Sequence, residues 1–360
     1  MHALHKMILG FAGLALPVIT QAQAATLVPV TPPAGAVQTI VFGINKHNVI
    51  AGAWIDANDV AHGFIGPLNG TYTSFDFGGT STGTLPRALD DDGNIVGFAE
   101  DPSFSIGEEF LRQANGTLLP IQKDGTPLNG VAQGIIKKGE TSTGDYLDPN
   151  TGNRTGYLAT DGLYQSDVSL NLDIYSTNPR GLNHFGTLAG FYVESDKVTT
   201  HGMILKKGVL QVVDADDSGT TVLEDINKKE IATGQVSDAS GNPHAFVYDN
   251  KTGVFTTITV NDGSSEQQAW GINDKGLVTG YWGDKNNAFH AFKLDVATHT
   301  FTPIKVPGKP AVVQAWGVNN AGLIALSSSA GNFIYCPREP AKCPHAGSAI
   351  EIADAPDIHP

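Results

Sequence analysis

Gly271-Ile272-Asn273-Asp274-Lys275-Gly276-Leu277-Val278-Thr279-Gly280 is the stretch on which the fold turns, because it recurs. Related decads run from Gly43 to Gly52, Ala88 to Gly97, Gly181 to Gly190, Asp225 to Gly234 and Gly317 to Leu326. A degenerate copy starts at Gly134 and contains Lys137-Lys138-Gly139. The start points 43, 88, 134, 181, 225, 271 and 317 are spaced by 45, 46, 47, 44, 46 and 46 residues. A period this regular marks a repeat architecture in which each copy is one supersecondary unit.

Working outward from the decad, each copy carries four strand signals separated by turns. The first surrounds Gly-Ile-Asn. A turn follows, usually with Gly at its sixth position (Gly93, Gly139, Gly186, Gly276, Gly322), where a positive φ costs little. The second strand is of the Leu277 to Tyr281 type. The third begins His-x-Phe or a variant of it, at His62, His201, His244 and His290, and a hairpin turn such as Asn69-Gly70 or Asn115-Gly116 leads to a fourth resembling Phe301-Thr302-Pro303-Ile304. Four short antiparallel strands repeated in this way predict an all-β fold, a seven-bladed β-propeller with four-stranded blades. The seventh copy lacks a fourth strand, ending near Phe333-Ile334-Tyr335 before Cys336-Pro337. Leu27 to Gly35 is similar to Thr302 to Gly308, so the N-terminal strand is expected to close the last blade and cover its open edge.

The pattern Gly-Ile-Asn-x-x-Gly-x-Ile-Val-Gly, followed by His-Gly-Phe and Phe-Thr-x-Ile, resembles the bacterial extracellular repeat proteins called the HAF family. The resemblance covers nearly all of residues 26 to 335, strongest in copies 1, 4, 5 and 6. It implies export and a propeller-like fold, and it brings no catalytic residues to carry over.

Residues 1–24 read as a signal peptide: His5 and Lys6 begin it, an apolar run from Met7 to Ile19 is too short to span a bilayer, and Ala22-Gln23-Ala24 suits cleavage after Ala24. The expected organisation is a signal peptide (1–24), one propeller (25–336) and a partly disordered tail (337–360), in a secreted or periplasmic monomer without a transmembrane segment. The only cysteines, Cys336 and Cys343, are expected to form a disulfide in an oxidising compartment. The chain has a net charge of −14 over 360 residues, which argues against a nucleic-acid partner.

The residue before each Gly-Ile-Asn should ring the channel mouth: Phe42, Arg87, Gln133, Arg180, Glu224, Trp270 and Trp316. Two of five arginines and two of four tryptophans thus fall at one repeat position. Trp54, Trp282, Tyr192 and Phe104 are placed on the same face. Indole faces stack on sugar rings, and Arg and Glu bind hydroxyls or carboxylates through directed hydrogen bonds. The competing reading is that these aromatics pack between blades. The His-x-Phe histidines recur around the disc rather than converge, which suits a repeated structural hydrogen bond. Asp214, Asp216, Ser218 and Asp225 have the spacing of a calcium loop, although the last ligand would be Asp instead of Glu. Beyond calcium no cofactor is suggested, and no nucleophile elbow, zinc motif, phosphate loop or dinucleotide fingerprint is present.

Three functions remain open. The first is a binding module holding a glycan, another extracellular polymer or a surface protein at the mouth. The second is a hydrolase or lyase acting on an acidic polysaccharide, with Arg87, Arg180, Glu224 and Tyr192 as candidate catalytic groups. The third is a structural envelope protein.

Overall fold

The computed structural model describes residues 25–360 apart from 69, 79–82, 101–104, 137–140, 171, 216–219, 259, 261–265, 309, 338–342, 344–348 and 353–360. The signal-peptide reading, Asn69, Phe104, Gly139, Asp216 and Ser218 therefore lie outside the described residues. Among those described, no helix is long and apolar enough to cross a membrane.

Repeats 4, 5 and 6 each fold into an antiparallel four-stranded sheet in sequence order. Repeat 6 shows the pattern: Glu266–Ile272, Leu277–Gly283, Phe289–Asp295 and Thr300–Ile304. Repeats 1 and 2 are built alike and are joined by one parallel pairing, Ala61 to Gly83. Repeat 3 carries two extra short strands, Gln122–Lys123 and Thr126–Pro127. In repeat 7 the N-terminal strand Ala25–Val30 lies antiparallel to Asn332–Cys336, with Leu27 opposite Tyr335. The tail returns as well: Ile350–Ile352 pairs with Ala25–Val30 on its outer side and buries Ile352. A strand edge and an apolar cluster are there to receive this part of the 337–360 segment. Cys336 and Cys343 are disulfide-bonded.

The core divides into layers between consecutive sheets. One layer joins Ala245 and Val247 of repeat 5 to Phe292 and Leu294 of repeat 6, and another joins Val28, Ala325 and Ile334 to Val41, Ile50 and Phe64. The repeat dictates how each layer packs. The Phe of the third strand (Phe64, Phe246, Phe292) is fully buried over the Gly that ends the second-strand motif. A Cβ on Gly280 would stand 2.0 Å from the Gln268 carbonyl oxygen and 2.8 Å from the Phe292 ring, so only glycine fits.

The Asn of Gly-Ile-Asn has two tasks. Its Oδ1 accepts from two backbone N–H groups of its own turn, at Lys275 and Leu277 for Asn273. Its Nδ2 donates to the backbone oxygen of the corresponding residue in the next repeat. Asn183 reaches Asn227 (3.0 Å), Asn227 reaches Asn273 (2.9 Å), Asn273 reaches Asn319 (2.9 Å), and Asn319 reaches Asn45 across 274 residues of sequence (2.9 Å). Asn45 in turn reaches Asp90 (3.1 Å). These side chains are 3–5 % exposed, so each bond is made away from water. Repeat 2 substitutes Asp90, which has no amide to donate, and Asn94 satisfies its second oxygen at 2.9 Å. The sixth-position glycines Gly93, Gly186, Gly276 and Gly322 all have positive φ.

Candidate functional site

The first strand of every repeat is bulged at the same repeat position, and that of repeat 4 also between Ile174 and Ser176. Pairing with the second strand slips between Val41 and Gly43, Pro86 and Ala88, Ala132 and Gly134, Pro179 and Gly181, Leu223 and Asp225, Ala269 and Gly271, and Ala315 and Val318. The residues left out of register include Phe42, Arg87, Gln133, Arg180, Glu224, Trp270 and Trp316. A bulge re-aims the side chain it displaces. All seven line one cavity of about 280 Å³, called the mouth below. The glycine after the bulge permits the first strands to come this close: a Cβ on Gly271 would sit 2.8 Å from the Trp316 carbonyl oxygen, and one on Gly317 2.9 Å from that of Phe42.

The mouth has an aromatic side and a charged side. Trp316 lies between Trp270 (ring centroids 5.0 Å apart) and Phe42 (5.7 Å, edge-on). Arg87 is 6.0 Å from the Phe42 ring centroid and makes two long contacts of 3.4 Å to Gln133 Oε1. Arg180 sits 5.4 Å from the ring of Phe191, a cation–π contact. Sequence reasoning missed Phe191, whose signal was an aromatic directly after the second-strand Gly190. Three buried donors have no partner: Arg180 Nε, Trp270 Nε1 and Trp316 Nε1.

Burial, reinforced by Arg180 and opposed by Glu224, holds the Arg87 guanidinium below its usual pKa. Burial pushes the Glu224 carboxyl up against the pull of Arg180 and Arg87. Beside it, burial pushes Asp225 up to about 6, although its oxygens accept from the N–H groups of Ile272 and Ile226. The mouth therefore presents two guanidiniums against a carboxyl driven towards its neutral form, a cationic spot in an acidic protein.

Other candidates go elsewhere. Trp54 and Trp282 do not line the mouth. Each packs on the third-strand histidine opposite, Trp54 stacked on His62 at 4.2 Å and Trp282 tilted against His290 at 4.9 Å, because residues paired across strands face the same side of the sheet. Tyr192 is buried against His201 at 5.0 Å in the layer between repeats 3 and 4, so it is not near Arg180 and Glu224 in the mouth. The four histidines are each held by a nearby aspartate: Asp76 for His62, Asp214 for His201, Asp238 for His244 and Asp284 for His290. Of the four residues with calcium-loop spacing, only Asp214 and Asp225 are among the described residues. Asp214 is engaged with His201, whereas Asp225 lies in the channel wall, hydrogen-bonded to the next repeat.

No family model matches the chain, and no curated protein matches it. Solved structures do. The β-propeller domain of the trilobed protease from Pyrococcus furiosus, described as having an open velcro topology, matches with a TM-score of 0.58 at 10 % identity, over 84 % of this chain and 96 % of that one. The fold is a β-propeller. A prolyl endopeptidase structure matches this propeller with a TM-score of 0.58 at 11 % identity, over 88 % of this chain and 51 % of that one. A chain of the mitotic checkpoint complex gives 0.52 at 9 %, over 92 % and 99 %. At such identities the likeness concerns the fold alone.

Proposed function

We propose that the protein is an exported binding module that holds a glycan or another extracellular polymer on the bulge-presented face at the channel mouth. One observation carries this reading: two buried donors without partners, Arg180 Nε and Trp270 Nε1, converge with the half-buried rings of Phe42, Trp270 and Trp316 in one cavity. A buried donor left unpaired costs about 1–3 kcal/mol. A ligand rich in acceptor oxygens removes that cost, and indole faces suit the C–H face of a sugar ring. The two guanidiniums favour acidic units.

The disc is read as seven-bladed and closed by its N-terminal strand; the Ala25–Val30 pairing with Asn332–Cys336 and the Asn319-to-Asn45 bond support this. The repeat pattern supports a place among the HAF-repeat proteins. The signal-peptide pattern and the disulfide support a secreted or periplasmic location.

A second reading, hydrolysis or elimination on an acidic polysaccharide, draws on Glu224. A carboxyl whose pKa burial raises, set near two arginines, is a candidate proton donor. Tyr192 has no part in that chemistry because it lies outside the mouth.

The test is a polysaccharide array on residues 25 to 360, beside Arg180→Ala and the Trp270→Ala/Trp316→Ala double variant, with product release assayed in the same wells. Binding lost in both variants, without products, supports the module. Released oligosaccharides transfer the assignment to the enzyme. Neither binding nor products from folded protein overturns both readings and leaves the structural role.

A further inference from the structure

Between repeats 7 and 1 lies a second cavity of about 540 Å³. That volume is within the usual range for small-molecule sites, about 300–1,000 Å³. Its walls are the start of the strands Gln38–Ile44 and Val313–Val318 and the turn that follows Ile324–Ser328. Trp316 lines both this cavity and the mouth, so the two are adjacent.

The chemistry of the two sites differs. The mouth holds Arg87, Arg180 and Glu224, whereas among the described residues no Asp, Glu, Lys, Arg or His lines the second cavity. What it offers is uncharged: the amides of Gln38, Gln314 and Asn332, the hydroxyls of Thr39 and Ser327, and the Trp316 N–H. Three of its buried polar atoms have no partner, namely Thr39 Oγ1, Asn332 Oδ1 and Trp316 Nε1. Thr39 is 9 % and Asn332 5 % exposed, so bulk water does not satisfy them. The orientation of Asn332 is decided by its other end. Its Nδ2 donates to the Thr39 carbonyl oxygen at 2.8 Å, and turning the amide round would set oxygen against oxygen. The free atom is therefore an acceptor.

A ligand satisfying this set must donate to Asn332, exchange either role with Thr39 and accept from Trp316. It must carry no charge, since nothing here neutralises one. It must also present some apolar surface, because Val37 at the rim is 65 % exposed. The hydroxyls of a pyranose each donate and accept, and its C–H face is apolar. We propose that this cleft binds one neutral pyranose unit, adjacent to the acidic-unit site at the mouth. The proposal rests on reading the adjacent mouth as a ligand site, and its test stands apart from the test at the mouth.

The experiment titrates the folded chain, residues 25 to 360, with methyl glycosides of neutral hexoses and, separately, with neutral polysaccharides, read by saturation-transfer NMR and tryptophan fluorescence. At least one methyl glycoside is expected to bind. Thr39→Val should weaken it about tenfold, the loss of one hydrogen bond, while acidic-polymer binding at the mouth is retained. Thr39→Val should also raise Tm, because it deletes a buried hydroxyl that has no partner in the free protein. If Thr39→Val does not fold, Gln314→Ala, at a half-buried wall position, carries the same binding expectation. Tighter binding of the polysaccharide than of the glycoside identifies a polymer unit as the natural occupant; equal binding identifies a free sugar. No glycoside bound by folded protein, or binding that the variant leaves unchanged, overturns the proposal. A glycoside site without acidic-polymer binding leaves this inference standing and removes the mouth reading.

Discussion

Replacing Asn273 probes how the repeats are joined. The side chain makes three buried hydrogen bonds: Nδ2 to the Asn319 carbonyl oxygen, and Oδ1 from the Lys275 and Leu277 N–H groups. At about 1 kcal/mol net for each bond, Asn273→Ala should cost about 3 kcal/mol. Asn273→Asp keeps both acceptor bonds, loses the donor and places a carboxylate oxygen against the Asn319 oxygen. At neutral pH it should cost about 2 kcal/mol or more, since a charge is also buried. Burial raises the pKa of the new carboxyl in the folded state above its unfolded value of about 3.9. A group with a raised folded pKa contributes stability that is fully present below the unfolded pKa and is lost as pH rises through the folded pKa. The penalty of Asn273→Asp, measured against the wild type at each pH, should therefore shrink from pH 7 towards pH 4, where the protonated acid can donate to Asn319. Repeat 2 shows how an aspartate is accommodated, with Asn94 donating to Asp90. Adding Leu277→Asn, which imitates that pair, should recover part of the loss. The assay is urea unfolding followed by tryptophan fluorescence, comparing midpoints at constant m. Asn273→Ala within about 0.5 kcal/mol of wild type would refute the reasoning. So would Asn273→Asp and Asn273→Ala that match at every pH.

Glu109 is wholly buried, accepts a hydrogen bond from the Tyr157 hydroxyl, and is pushed well above the usual carboxyl range by burial. By the same linkage its contribution to stability is lost as pH rises, so Glu109→Gln should raise Tm at pH 7.5, with the gain fading towards pH 4; a gain that grows in acid would contradict the assignment. Phe292 fills the layer between repeats 5 and 6 at 0 % exposure, and Phe292→Ala should cost about 3–5 kcal/mol in a urea titration. Asp225 is pushed up to about 6, so thermal melts at closely spaced pH values should show a stability contribution lost as pH rises from about 4 to 6, and Asp225→Gly, the residue found here in most repeats, should remove that component.

The sequence alone determined the number and spacing of the repeats, the strand pattern they share and the repeat position whose residues gather in one cavity. It could do so because a repeated unit states its constraints several times over. The Gly that ends the second-strand motif recurs since a Phe ring occupies its Cβ space, and the sixth-position Gly recurs since the turn demands positive φ. The mouth ring Phe42, Arg87, Gln133, Arg180, Glu224, Trp270 and Trp316 was legible for the same reason: one repeat position has one environment. Only the tertiary structure decided why that position faces the channel, because a bulge is a mismatch between two strands and leaves no mark in either one read alone. It also separated the tryptophans. Trp54 and Trp282 pair with histidines across strands, while Trp270 and Trp316 sit on bulges, and period counting along one chain could not tell these faces apart. The neutral cleft between repeats 7 and 1 joins Thr39 to Asn332, 293 residues apart, at the place where chain end meets chain beginning. A site formed between the last repeat and the first has no repeated counterpart from which a sequence could announce it.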